Sequence, residues 1–89
     1  MKLDTNTQDS LLKRLARVEG QVRAIQGMIR DGRQCKDVIA QVSAASTALD
    51  QVGFNILAQG MRRCLQDSKK ASKEGFTLEE IERLFLKMA

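Results

Sequence analysis

From Val38 to Met61 the chain carries a single charged residue, Asp50, while Val38, Val42, Ala45, Leu49, Val52 and Ile56 recur at helical spacing and alanines, serines and a threonine fill the remaining faces. A helix that is apolar or small on most sides is buried on most sides. An 89-residue chain has too little other structure to supply that burial, since domains near this size have marginal cores unless oligomerisation adds to them. This stretch therefore predicts a long second helix, from Gln34 or Cys35 to about Asp67, packed against its copy in a second subunit.

The rest of the chain reads as helix around it. There is no Pro, Trp or Tyr and only three Phe, and the residues that dominate favour helices. Leu11, Leu15, Val18, Val22, Ile25 and Ile29 form a heptad-like stripe, so a first helix is expected up to about Arg30. It follows a polar lead-in, residues 1–6, expected to be disordered, with Thr5, Asn6 and Thr7 as alternative caps and Asp9 suited to the first turn. Gly32 is the expected C-cap, and the short turn 31–34 folds the second helix back antiparallel. Residues 68–75 (SKKASKEG) read as a connecting loop or frayed helix end. Thr77 with Glu80 makes a capping box for a third, short helix whose apolar face is Ile81, Leu84, Phe85 and Met88, with Phe76 and Ile81 as a hydrophobic staple. The expected class is all-α, three helices (long, long, short) in a single domain, 1–89.

Charge and composition narrow the chemistry. The formal charge is +4 and the pI near 9.4, a balance that fits a nucleic-acid partner without requiring one. The chain has no His, which removes the commonest general base and excludes Ser/His and Cys/His catalysis; no enzyme is expected and no cofactor. The opening residues lack the apolar core of a signal peptide, and no apolar run is long enough to cross a membrane, so a cytoplasmic protein is expected. In that compartment two cysteines mean metal or redox chemistry more often than a structural disulfide.

Those cysteines, Cys35 and Cys64, are twenty-nine residues apart, nearly a whole number of turns, yet on one helix they stand roughly 43 Å from each other. A disulfide needs Cα atoms within about 7 Å. If they cooperate, Cys35 of one subunit meets Cys64 of another, as a two-fold axis near Leu49 and Asp50 across antiparallel second helices would arrange. Cys35 falls at a helix N-terminus beside Arg33 and Lys36, and Cys64 follows Arg62 and Arg63. An accessible thiol with a second thiol to resolve it suits a redox or electrophile sensor; two thiolates also suit Cu(I), whereas Zn(II) wants four ligands. The plainer alternative is that each is a small buried hydrophobe. Lys13, Arg14 and Arg17, with Gln21, fall together beside the first apolar stripe. They are either a solvated face or, repeated by symmetry, a footprint for duplex DNA read by phosphate contacts and shape.

The run RLARVEGQVRAIQGMIRDGRQCKDVIAQVSAASTALD, Arg14 to Asp50, resembles the CsoR/RcnR family of bacterial repressors, through the RLxRVEGQ segment and the Cys-Lys-Asp-Val start of the second helix. The likeness extends through Cys64 and the Thr77 helix. It implies an antiparallel helix-2 homodimer assembling into a disc-like homotetramer that binds operator DNA, with Arg14 and Arg17 as carried-over contacts and Lys13 added from the helical wheel. Copper-sensing members place a His four residues before the second Cys, where this chain has Gly60, and a Tyr before the first Cys, where it has Gln34; the acidic outer member persists as Glu80. Nickel and cobalt sensors need several His, and formaldehyde sensors an N-terminal Pro. Two Cys with no His resembles the CstR branch. The expected inducer is then a reactive sulfur species that converts one thiol to a persulfide; the opposing thiol attacks it, and a di-, tri- or tetrasulfide bridge between Cys35 and Cys64 across subunits derepresses sulfide-handling genes. The alternatives are a Cu(I) sensor with Cys35 and Cys64 as ligands, and a structural helical assembly protein with incidental cysteines.

Overall fold

The structure, a computed structural model, describes residues 2–89. Four helices follow in order: α1 Thr5–Arg30, α2 Cys35–Gln66, α3 Ser68–Lys73 and α4 Leu78–Met88, with no strand among the described residues. The all-α class therefore holds, with one more helix than the pattern predicts. The chain divides into two compact units, Thr5–Val52 and Gly53–Ala89, the latter together with residues 2–4.

In the first unit, α1 begins at Thr5, so Thr5 and Asn6 are helical rather than lead-in and Asp9 lies beyond the first turn; Met1 lies outside the described residues. The turn after α1 is closed by Gly32 at φ 70°. The Gly32 amide donates to the Ile29 carbonyl at 3.2 Å and the Arg33 amide to the Met28 carbonyl at 3.0 Å. This paired arrangement satisfies the last carbonyls of a helix and needs the left-handed backbone that Gly adopts without a Cβ penalty. Leu11 and Val18 of α1 and Ala45 and Val52 of α2 are buried. The other stripe positions are not: Val22, Val42 and Leu49 are about half exposed and Ile29 more so, and Ile39, beside the second stripe, is exposed as well. A two-helix hairpin covers only one face of each helix, so the apolar surplus read from the sequence stays open in a single chain.

The second unit packs Leu57, Cys64, Ala71 and Ile81 into a core, with Phe54, Phe76, Leu84 and Met88 against it. Phe54 and Phe85 add a tilted ring pair, centroids 5.5 Å apart. Residues 68–75, expected as loop or frayed end, contain α3. Asp67 caps it, its Oδ1 accepting from the Lys70 amide at 3.0 Å, and Ala71 is fully buried. Gly75 closes it at φ 76°, with its amide on the Ser72 carbonyl and the Phe76 amide on that of Ala71, both at 3.0 Å. One buried methyl and two caps hold a helix too short to show a period. The Thr77 cap is present as predicted: its Oγ1 accepts from the Glu80 amide at 3.2 Å.

Candidate functional site: a buried thiol and a basic face

α2 carries both thiols. Cys35 is its first residue and is exposed; Gln34 just before it is exposed too, and its carbonyl accepts from the Asp37 and Val38 amides at 3.0 and 3.1 Å. Cys64, near the other end of α2, is 6% exposed. Its thiol donates to the Phe76 carbonyl oxygen, Sγ to O 2.8 Å. A thiol is a weak donor, so a buried one placed on a backbone carbonyl spends its only polar bond there.

Phe76 also meets Gly60, one turn before Cys64. A Cβ at Gly60 would overlap the Phe76 ring, so the glycine is the notch that lets this aromatic side chain lie on α2. Beside Cys64 a cavity of about 330 Å³ is lined also by Ser68, Ser72, Thr77, Leu78 and Glu79. Glu80 is half-buried, and its Oε2 lies 3.2 Å from Arg83 Nη2, one turn along α4.

The cationic setting expected for Cys64 is altered by pairing. Arg63 donates to Glu74 through Nε (2.7 Å to Oε2) and Nη2 (2.6 Å to Oε1). That hydrogen-bonded pair holds the Glu74 carboxyl below the ordinary range and raises the Arg63 guanidinium further. Arg63 is thus committed to a carboxylate, and Arg62 stays exposed.

In the first unit Lys13, Arg14 and Arg17 do come together. They line one cavity of about 750 Å³ with Gln21 of α1 and Ala48 and Gln51 of α2. The Gln21 Oε1 atom is buried there without a hydrogen-bond partner. Among the described residues no group of three or more His, Cys, Asp or Glu could hold a metal ion.

Phe76 is the site residue that sequence reasoning missed, entering it only as a hydrophobic staple. It lies twelve residues from Cys64 and acts through its backbone carbonyl, which no residue-type pattern reveals. Its nearest sequence signal is the glycine at 60.

The site thus comprises a cationic face on α1 and, on α2, one exposed and one buried thiol, in a chain without His. Residues 7–87 match the profile of the metal-sensitive transcriptional repressor family, and the chain belongs to that family. Its members are transcriptional repressors, not enzymes. The chain is 34% identical over 79 residues to the copper-sensing transcriptional repressor CsoR of Bacillus subtilis, covering 89% of this chain and 78% of that protein. It is 44% identical over 61 residues to the copper-sensing transcriptional repressor RicR of Mycobacterium tuberculosis, covering 68% of this chain and 64% of that one. Its fold is similar to the crystal structure of the copper-sensing repressor CsoR with Cu(I) from Geobacillus thermodenitrificans, with TM-score 0.80 and 31% identity over 98% of this chain and 91% of that one. The CsoR/RcnR resemblance is thereby established; these relatives do not set apart a sulfur-sensing branch.

Proposed function

We propose that the chain is an operator-binding repressor, one functional domain over 1–89 acting in the cytoplasm as a homo-oligomer, which releases DNA when Cu(I) is held by Cys35 of one subunit and Cys64 of another. The observation that carries this reading is that the relatives matched along most of the chain are copper-sensing repressors, while this chain offers two thiols and no His. Those relatives support copper better than the persulfide expected from the sequence. The donor set suits it in type, because Cu(I) accepts soft, low-coordinate sites and Cys64 sits among Leu57, Ala71 and Ile81. Cys35, exposed at the start of α2, would supply the second thiolate. Lys13, Arg14 and Arg17, repeated across subunits, would contact phosphates, and the half-exposed Val42 and Leu49 of α2 would face the partner copy. Gln34 adjoins Cys35 and Gly60 lies one turn before Cys64, while Glu79 lines the cavity beside Cys64 and Glu80 pairs with Arg83.

A second reading stays in play because of Gly60. The Phe76 ring occupies the space a side chain at 60 would need, which leaves no third donor at that position and favours chemistry that two thiols complete alone. A persulfide would transfer its outer sulfur to one thiol and leave as a thiol. The opposing thiol would then attack the cysteine-bound sulfur, forming a disulfide and expelling hydrosulfide.

Titration of the operator complex with Cu(I) buffered by a strong chelator, read by anisotropy, tests the first reading. Tight binding that frees DNA, lost in Cys35→Ala and Cys64→Ala, is expected. If Cu(I) leaves the complex intact while a persulfide donor yields a covalent dimer in non-reducing intact mass, the copper reading falls and the sulfur reading stands. Loss of neither thiol affecting either inducer would return the cysteines to incidental residues of a structural assembly.

A further inference from the structure

Three observations converge on one residue. Cys64 is 6% exposed and its thiol is occupied by the Phe76 carbonyl at 2.8 Å. The Phe76 ring lies in the notch at Gly60 and belongs to the same core as Cys64, Ala71 and Ile81. The Phe76 carbonyl belongs to the peptide leading into Thr77, whose hydroxyl caps α4 by accepting from Glu80.

From these we infer that Phe76 is a positioning residue of the sensing thiol: it gates access to Cys64 Sγ and passes a change at that sulfur to the start of α4. The inference rests on Cys64 being an inducer-reactive thiol, and it holds for copper or sulfur alike. Either inducer replaces the thiol proton, which goes to solvent, so the donor to the Phe76 carbonyl is lost whichever bond forms. A carbonyl deprived of its partner in a buried setting is costly to leave unsatisfied. The peptide therefore turns toward another donor or water. Its ring is tied to the same backbone, so the Gly60 notch and the Thr77 cap respond together. In the resting protein the ring, seated in the notch at Gly60, holds that carbonyl on the thiol, so reaction at Cys64 waits on a local opening of this segment.

Alkylation of the full-length protein by iodoacetamide, resolved by peptide mass at each cysteine, tests the gate without relying on DNA release. In the wild type Cys35 is expected to react about ten-fold or more faster than Cys64, because the two differ in exposure. Phe76→Ala should bring Cys64 up to the rate of Cys35 without changing Cys35, and Phe76→Leu should restore most of the protection. Leu84→Ala, which loosens the same core, should leave Cys64 slow. An unchanged Cys64 rate in Phe76→Ala, or equal acceleration in Leu84→Ala, overturns the gate. For transmission, hydrogen exchange at the Glu80 amide should quicken once Cys64 is alkylated; exchange that stays at the wild-type rate overturns that half. Failure of both inducers to release DNA would instead strike the proposed function.

Discussion

Arg63 and Glu74 meet fork to fork, with two charge-assisted hydrogen bonds of 2.7 and 2.6 Å that tie α2, one residue before Cys64, to the residue ending α3. The carboxyl is depressed first by the hydrogen bond from Arg63 and then by the guanidinium charge. A depressed carboxyl stabilises the fold above its unfolded value, about 4.3 for glutamate, and that contribution is lost as pH falls through the folded value. Thermal unfolding followed by circular dichroism should place the wild type above Glu74→Gln at pH 7, with the gap closing on acidification. A gap independent of pH would show that the pair does not act through the carboxylate.

Gly53 and Gly60 both lie inside α2, yet their substitutions should differ in sign. A Cβ at Gly53 meets only Met88 Cε and Sδ, the mobile end of a flexible side chain. Gly53→Ala should therefore keep most of the helix-propensity gain, up to about 1 kcal/mol. At Gly60 the obstacle is the Phe76 ring, whose displacement costs about 1–3 kcal/mol as overpacking. Gly60→Ala should be destabilising by roughly 0–2 kcal/mol net. Denaturant midpoints of the two variants, measured side by side, decide the matter.

Thr77→Ala removes the acceptor for the Glu80 amide at the start of α4 and should cost about 1 kcal/mol. Thr77→Ser keeps the hydroxyl and should recover most of it. Equal losses in both variants would mean that the threonine methyl, not the cap, matters.

The basic face is tested by salt. Replacing Arg14 and Arg17 by Ala should weaken operator binding and flatten the plot of log affinity against log salt by about 0.9 for each phosphate contact removed. An unchanged slope would place DNA contact elsewhere on the chain.

Much of this was readable from residue order. The Leu11-to-Ile29 and Val38-to-Ile56 stripes mark two long helices because burial has the helical period, and Gly32 and Thr77 mark their limits because only certain residues close or open a helix. The Lys13, Arg14 and Arg17 cluster was legible for the same reason, one turn bringing the three to one face. Residues 68–75 misled because α3 is only six residues long. Its order comes from the Asp67 cap and the burial of Ala71, which have no period to detect.

Residue order by itself determined the helical class, the presence of two thiols and no histidine, and the family, because periodicity, composition and local motifs are properties of neighbours along the chain. Only the tertiary structure decided that Cys35 is open while Cys64 is closed, that Arg63 is committed to Glu74, and that the space above Gly60 belongs to Phe76. Each of these joins residues more than ten positions apart, or sets one thiol in a core and leaves the other outside. Such pairings arise from packing, where a missing Cβ and a backbone carbonyl count as much as any side chain named in the sequence.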